Sequence, residues 1–381
     1  MHGSIGMAFI FIHQTQSFMK ILHVITSLRT GGAEHLLVDL LPRFQKEGHE
    51  VSILLFDGTR TPFYDELEKL GFQLFTLGIG RKAMHNPFLV FKLRKYLKQY
   101  DIVHTHNTPC QLLAAAAACT LSHPAKLITT EHSTTNNRRT WKWYRPIDRW
   151  MYNSYEKIIC VSKDAENNLL SALADKKLAT KICTIPNGVD VLRFKNATPL
   201  QEFSTQYAHK ILIMMVAAFR KGKDQKTLIR TMKHVPSNYH LFLVGDGECR
   251  PECEELTRSL GLETSVTFLG IRTDISSLLK ASHYNILSSE FEGLSLSSIE
   301  GMAAGKPFLA SDVDGLRDIV GGAGILFPCG NSKALANEIM KLQEDSTWYK
   351  QVAEQCQQRA MQYDISKMAN SYLAVYNQVH N

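Results

Sequence analysis

The sequence predicts an α/β protein made of two doubly wound domains, each built on a parallel sheet, facing each other across a cleft. Three observations carry that prediction. Short β-branched runs alternate with amphipathic helical stretches, the pattern of successive βαβ units. The alternation breaks once near the middle of the chain and then restarts. A chain of 381 residues exceeds one ordinary core and fits two.

In the first half, strands are expected at 21–26, 51–56, 73–76, 102–104, 126–130, 157–160 and 182–185. Residues 34–45 and 88–100 between them carry apolar side chains on one helical stripe. The second of these stripes is basic through Lys92, Arg94, Lys95 and Lys98, which reads as a packed helix with a solvated face. Pro186-Asn187-Gly188 is a turn signal, and residues 196–205 are polar and weakly patterned, so the inter-domain linker is placed there. Strands then recur at 211–216, 240–244, 266–269, 284–287 and 308–310, with helices over 223–234, 251–260, 274–280 and 295–304. From Lys333 onward the pattern is helical with breaks near Asp345 and Asp364, and it contains no strand. Such a tail is expected to pack back across the first domain. The division is therefore 19–195 for a first Rossmann-like domain, 206–362 for a second, and 363–381 for a returning C-terminal helix.

Composition narrows the class. Hydrophobic residues make up 44% and charged residues 21%, which excludes extensive disorder. The net charge of +7 is unevenly spread: residues 1–200 carry +9 and residues 201–381 carry −2. A basic first half accommodates an anionic partner, either a phosphorylated acceptor or an anionic membrane surface, as well as a simple solvated face. No nucleic-acid motif accompanies the charge, so no nucleic-acid partner is expected. Eight scattered cysteines read as reduced thiols; Cys249 and Cys253 are four apart, but no second close pair completes a metal site. The apolar run from Met7 to Ile12 is far short of a membrane span and lacks the flanks of a signal peptide. Met19 opens a natural-looking start, so residues 1–18 are taken as an extension that adds no fold element, and a cytoplasmic enzyme touching the inner face of the membrane is expected.

Four constellations carry chemistry. The first, Ser27 to Glu34, follows the first strand and opens the first helix; Gly31 and Gly32 let a ligand approach the backbone at the helix N-terminus. It is not a dinucleotide fingerprint, because Gly-x-Gly-x-x-Gly is missing. The second is Glu131-His132 at the carboxyl end of a strand, where His132 would face the cleft and bond a sugar hydroxyl, or else sit as a structural histidine. His104, His106 and His132 together mimic a metal site, but no metal is expected. The third, Arg220-Lys221-Gly222-Lys223, lies at a βα turn and can neutralise a diphosphate leaving group.

The fourth runs from Glu290 to Glu300. Glu292 lies in the loop after a strand and Glu300 inside the next helix, up to roughly 12 Å apart at a helical rise. That is too far to share one reacting atom and suits two ends of an extended ligand. Glu300 can accept both hydroxyls of a ribose and Glu292 sugar hydroxyls, while Gly293, Leu294 and Ser295 at the helix start offer N–H groups to phosphate.

Taken in order, Gly31-Gly32-Ala33-Glu34, Asp101-Ile102-Val103-His104-Thr105-His106, Glu131-His132, Val161-Ser162-Lys163, Ile185-Pro186-Asn187-Gly188-Val189-Asp190 and the Glu-x7-Glu spacing of Glu292 and Glu300 resemble the family 4 retaining glycosyltransferases of the GT-B fold, over about residues 19–378. The resemblance implies two Rossmann-like domains, the first binding the acceptor and the second the nucleotide sugar, and transfer of a sugar from a nucleotide diphosphate sugar with retained configuration, without a metal or other cofactor. It implies that Lys223 binds the diphosphate, Glu300 the ribose and Glu292 the donor sugar. It implies that His132 lies near the sugar ring and Gly32 contacts phosphate. The sequence departs from the family at Ala217-Ala218, where Gly-Arg is frequent; Arg220 then stands in as the guanidinium, as in relatives with Phe-Arg. A hexose or N-acetylhexosamine donor and a glycan or lipid-linked acceptor in cell-envelope polysaccharide synthesis are expected, with Trp141-Lys142-Trp143-Tyr144-Arg145 as a membrane-proximal element. Two alternatives remain: a catalytically silent nucleotide-sugar-binding subunit, and a non-hydrolysing sugar-nucleotide epimerase on the same fold.

Overall fold

The computed structural model describes residues 17–29, 31–80, 86–132 and 141–381. The run from Met7 to Ile12 and most of the proposed N-terminal extension lie outside the described residues.

The first domain is a seven-stranded, all-parallel sheet. Its strands are β1 (Lys20–Ile25), β2 (Glu50–Leu55), β3 (Gln73–Thr76), β4 (Ile102–Thr105), β5 (Lys126–Glu131), β6 (Lys157–Cys160) and β7 (Ile182–Thr184), in the spatial order β3-β2-β1-β4-β5-β6-β7. The central strands are near-continuous Ile, Leu and Val because both faces are covered. One face carries α1 (Gly32–Lys46) and α2 (Pro62–Lys69), with Leu37, Leu41 and Phe44 in the core. The other carries α3 (Leu89–Leu97), α4 (Thr108–Ala118), α5 (Arg145–Asn153) and α6 (Lys163–Leu173), followed by the short α7 (Lys176–Ala179). Several starts are locally encoded: the Thr61 side chain caps α2 by accepting from Tyr64 N–H, and Ser162 caps α6 by accepting from Ala165 N–H.

The chain leaves this domain through α8 (Val191–Lys195), whose Val191 and Phe194 pack into the second core. The stretch expected to be a patternless linker holds a helix, α9 (Gln201–Gln206). Phe203 is the reason: it is buried against Phe242 and Tyr207, ring centroids 4.6 and 5.7 Å away, so one aromatic residue anchors an otherwise polar segment.

The second domain repeats the architecture with six parallel strands. They are β8 (Ile211–Val216), β9 (Tyr239–Val244), β10 (Val266–Gly270), β11 (Tyr284–Leu287), β12 (Phe308–Ser311) and β13 (Ile325–Phe327), in the order β10-β9-β8-β11-β12-β13. Between them run α10 (Gln225–Thr231), α11 (Arg250–Ser259), α12 (Ile275–Ala281), α13 (Leu296–Ala303) and α14 (Asp314–Val320). In both sheets the order reverses direction beside the first strand, between β1 and β4 and between β8 and β11. Ligands of doubly wound sheets sit at that switch point, outside the carboxyl ends of the strands.

The tail forms α15 (Ser332–Glu344), α16 (Ser346–Ala360) and α17 (Ile365–His380). The breaks read at Asp345 and Asp364 are N-caps: their carboxylates accept from Thr347 and Trp348 N–H and from Ser366 N–H. As expected, α17 returns to the first domain and buries Ile365, Met368, Tyr372 and Tyr376 against α1 and the sheet. Each such side chain removed from water contributes about 1.5–3 kcal/mol. The outgoing and returning chains cross as a pair: Val189 N–H donates to Tyr363 O and Ile365 N–H to Val189 O, both at 2.9 Å.

Candidate active site

The two carboxylates of the Glu-x7-Glu pattern lie where the sequence placed them. Glu292 is in the loop between β11 and α13, and Glu300 is inside α13. The loop after β8 is laced to the loop after β11, as adjacency of those strands allows. Glu290 N–H donates to Gly222 O at 2.9 Å and Asp224 N–H to Ser288 O at 3.0 Å. Gly222 has φ +90°, a left-handed conformation that favours glycine, and the ring of Phe291 fills the space its side chain would take. This folding-over delivers Lys223 onto Glu292. The ammonium and carboxylate form a direct ion pair, each side chain only 10% exposed. The Ser289 hydroxyl donates to the same carboxylate oxygen at 2.7 Å.

Lys223 and Glu292 therefore act as one unit, not as two independent ligands. Arg220 belongs to the same turn, but its guanidinium is exposed and makes no hydrogen bond or ion pair among the described residues. It is available to an anion. Gly293 and Leu294 lead into Ser295, the N-cap of α13, which makes no side-chain capping bond, so the first N–H groups of that helix are left for another acceptor.

Glu300 is buried in α13, a helix that packs against α8. Burial pushes its carboxyl up from the ordinary value; the charges of His35 and Arg193 partly offset this, and Asp39 adds to it. Arg193 forks onto Asp39 with contacts of 2.9 and 3.4 Å, and His35 lies 3.9 Å from Asp39. A carboxylate of the second domain thus lies within electrostatic reach of α1 of the first. At the start of α1, Gly31 and Gly32 are exposed and no side chain caps the helix. A side chain at Gly32 would meet open space, so the backbone there is accessible.

Glu131 and His132 part company. Glu131 turns into the core of the first domain, where it accepts from Gln111 Nε2 and the Tyr152 hydroxyl, both at 2.6 Å. His132 is half-buried and bonded through Nε2 to His106 Nδ1 at 3.0 Å, and desolvation pushes it down to about 4, so it is neutral near pH 7. Nitrogens of His23, His104 and His106 come within 4.8 Å of one another. Their planes lie within 9–22° of one another. Both nitrogens of His104 and of His106, and Nδ1 of His23, are engaged in hydrogen bonds to other side chains, so the cluster reads as a hydrogen-bonded network.

Sequence reasoning did not single out His23, Ser289, Asp39 or Arg193. For His23 a signal exists: it is the one polar residue in the apolar run Ile21 to Ile25. The Asp39–Arg193 pair carries no local signal, because its members are 154 residues apart; the Ser289 hydroxyl lies only three residues before its partner Glu292, but nothing in the sequence distinguishes it from its neighbour Ser288.

Two doubly wound parallel sheets in sequence, with the last helix returning to the first of them, are the architecture of GT-B transferases. The family model described as Glycosyltransferase Family 4 matches residues 30–193, and that described as Glycosyl transferases group 1 matches residues 198–362. The chain belongs to this family 4 type of glycosyltransferase. It is 25% identical over 376 residues to a Campylobacter jejuni N-acetylgalactosaminyltransferase named for an undecaprenyl-diphosphate-linked acceptor, covering 95% of this chain and 99% of the relative. It is 23% identical over 350 residues to an Escherichia coli α-1,3-galactosyltransferase named for UDP-Gal and GlcNAc-diphosphoundecaprenol, covering 87% and 89%. Among solved structures, Anabaena HepE in complex with UDP superposes with a TM-score of 0.78 at 23% identity, covering 94% of this chain and 100% of that one. Among the described residues, no helix is long and apolar enough to cross a membrane.

Proposed function

We propose that the protein transfers a hexose or N-acetylhexosamine from a nucleotide diphosphate sugar, with retained configuration, to a glycan or lipid-linked acceptor of cell-envelope polysaccharide synthesis. The observation that carries this is the placement of two carboxylates along one ligand-length path. Glu300 is buried within electrostatic reach of α1, and Glu292 is held by Lys223 at the switch point of the second sheet. Glu300 takes the ribose hydroxyls and Glu292 the hydroxyls of the donor sugar. Lys223, Arg220 and the N–H groups at Gly293, Leu294 and Ser295 hold the diphosphate. Gly31 and Gly32 let α1 close on the phosphates from the other side, and His132 lies beside the sugar ring. The leaving diphosphate departs from the face on which the acceptor attacks, and its oxygen receives the acceptor's proton as the new glycosidic bond forms. No metal cofactor is required, because cationic side chains and a helix end face the charge that develops.

Relatives that act on undecaprenyl-diphosphate-linked glycans support a lipid-linked acceptor, and UDP in HepE supports a uridine donor. A membrane-proximal position has its own support. Trp141, Trp143 and Trp150 are 53%, 68% and 44% exposed, and Phe88 and Phe91 are 70% and 64% exposed, in or just before α5 and α3, which both pack on α4.

The test is a thermal-shift screen against UDP-, GDP-, ADP- and CMP-sugars, followed by incubation of the stabilising donor with polyprenyl-diphosphate-linked acceptors. Transfer with release of nucleotide diphosphate and an axial-to-axial or equatorial-to-equatorial anomeric outcome is expected. Stabilisation without turnover would show a silent subunit. Isomerised nucleotide sugar formed without acceptor would show an epimerase.

A further inference from the structure

Four histidines from three adjacent strands meet beneath the mouth of the first domain. His104 is saturated: its Nδ1 bonds the Tyr376 hydroxyl at 2.6 Å and its Nε2 bonds Thr130 Oγ1 at 2.8 Å. The other three form a row. His23 Nδ1 lies 2.8 Å from His106 Nε2, and His106 Nδ1 lies 3.0 Å from His132 Nε2. The row runs from the core, where His23 lies beside Phe44 and His104, toward the half-buried His132.

A neutral imidazole carries one N–H and one bare nitrogen. Each contact in the row needs one N–H and one lone pair. His106 takes part in both contacts, so the choice is all or none. If His106 carries its proton on Nδ1, it donates to His132 Nε2 and accepts from His23 Nδ1–H. The His132 proton then resides on Nδ1. If His106 carries it on Nε2, every bond reverses and His132 Nδ1 is left bare. The buried end decides. His23 Nε2 is buried and has no hydrogen-bond partner among the described residues. The reversed row would place an N–H on that atom and strand a donor in the core, the rarest kind of orphan in folded proteins. The first direction leaves only a lone pair there.

We propose that His23 and His106 are positioning residues that lock His132 with its proton on Nδ1, so that the cleft is offered a hydrogen-bond donor and not a base. This rests on the reading of the cleft as the donor-sugar site. His132 would donate to a sugar oxygen, and the acceptor's proton would leave through the diphosphate and not through the row. Burial keeps all three rings neutral near pH 7, which the argument requires.

The experiment is two-bond proton–nitrogen correlation spectroscopy on the full chain with 15N-labelled histidine, without substrate, at pH 7.5. His23, His106 and His132 are each expected to show a protonated Nδ1 and a bare Nε2. A His132 protonated on Nε2, or a mixture of tautomers, would overturn the proposal. Two variants separate hydrogen bonding from packing. His23→Phe keeps a flat ring at that position but removes the donor, so His132 should become a tautomer mixture. His23→Asn supplies an amide N–H near the lost Nδ1 and should restore the single tautomer. Unchanged His132 signals in His23→Phe, or an Asn variant that behaves like Phe, would each overturn the role assigned to His23. In turnover, His23→Phe should lose roughly tenfold in kcat, the worth of one hydrogen bond, with KM little changed, and His23→Asn should recover it. The spectra need no substrate, so failure to find a donor leaves the tautomer result intact.

Discussion

The Lys223 ammonium is bonded to the Glu292 carboxylate in a position almost closed to water, and Ser289 donates to the same oxygen. In the free enzyme each charge compensates the other. On the function proposed here, a diphosphate entering the cleft would compete for the ammonium and free the carboxylate for sugar hydroxyls. Glu292→Gln should therefore lower kcat by about 10²-fold, a loss in the range seen when one preorganised polar group is removed from a closed site. Lys223→Met should cost as much and also strand a buried carboxylate, so it should be the less stable of the two. Steady-state kinetics with the identified donor and a thermal melt of each variant check both statements. Full activity in Lys223→Met would remove the pair from the mechanism.

At the crossing of the two domains, Gly188 lies against the backbone of Ile365. A Cβ there would sit 2.7 Å from Ile365 Cα and 3.1 Å from its nitrogen. The neighbour is backbone, fixed by the Val189–Tyr363 and Ile365–Val189 bonds, and cannot swing aside. Gly188→Ala should destabilise the protein by about 1–3 kcal/mol through overpacking. Urea denaturation measures this, and an unchanged midpoint would show that the crossing is plastic.

Glu300 combines a stability cost with the binding role proposed for it. Its folded pKa is raised, so the folded protein holds the proton to a higher pH than the unfolded chain does. Stability therefore falls as pH rises from the unfolded value through the folded one, and the ionised carboxylate is a burden at neutral pH. Glu300→Gln should melt higher than the parent at pH 7.5 and still lose donor affinity. Calorimetric melts and donor titration test the two halves separately. A variant that binds donor as well as the parent would take Glu300 out of the site.

Much of this was legible in the sequence because it is local. Strand positions followed from β-branched runs, and the tail's breaks at Asp345 and Asp364 turned out to be side-chain caps. Glu292 and Glu300 were found because loop and helix are adjacent in the chain. What escaped was short or non-local. β13 is three residues long between glycine-containing turns, too brief for any periodicity to register. α9 hid in a polar stretch because a single Phe203 holds it. The bond between Lys223 and Glu292 depends on β8 and β11 being neighbours, and the histidine row on β1, β4 and β5 lying side by side. No spacing along the chain encodes those adjacencies.

The same histidines make the first domain acid-sensitive. His23 is pushed down to about 3 and His132 to about 4 from an ordinary value of 6.5, and His104 and His106 also fall well below it. The unfolded chain thus binds protons below about pH 6.5 that the folded chain refuses. Stability must drop as pH falls through that window, by up to about 1.4 kcal/mol per pH unit for each group. His49, His240 and His283 are shifted in the same direction and add to it. Urea midpoints should fall steeply between pH 7.5 and pH 5. A flat profile over that range would mean that the imidazoles are not buried as neutral groups.

The last prediction concerns the face formed by α3, α4 and α5. α3 packs on α4 and α4 on α5, so Phe88 and Phe91 share a layer with Trp143, Ile147 and Trp150. Exposed Lys92, Lys95 and Lys98 lie in the same layer. Large exposed aromatics among cations suit a membrane interface, where the rings enter the headgroup region and the charges attract anionic lipid. Each cation near such a surface contributes about 1 kcal/mol at physiological ionic strength, and the contribution fades as the Debye length shortens. The protein should therefore co-sediment with phosphatidylglycerol vesicles, bind them less at 0.5 M salt (a Debye length of about 4 Å), and ignore purely zwitterionic ones. Replacing Trp143 and Trp150 with Ala should weaken vesicle binding about tenfold or more, because two exposed rings are lost from the contact. Donor hydrolysis in solution should not change, since neither ring approaches the Lys223–Glu292 pair through any described contact. If binding to anionic vesicles is absent even at low salt, the aromatic face serves another purpose and the acceptor must be reached without membrane contact.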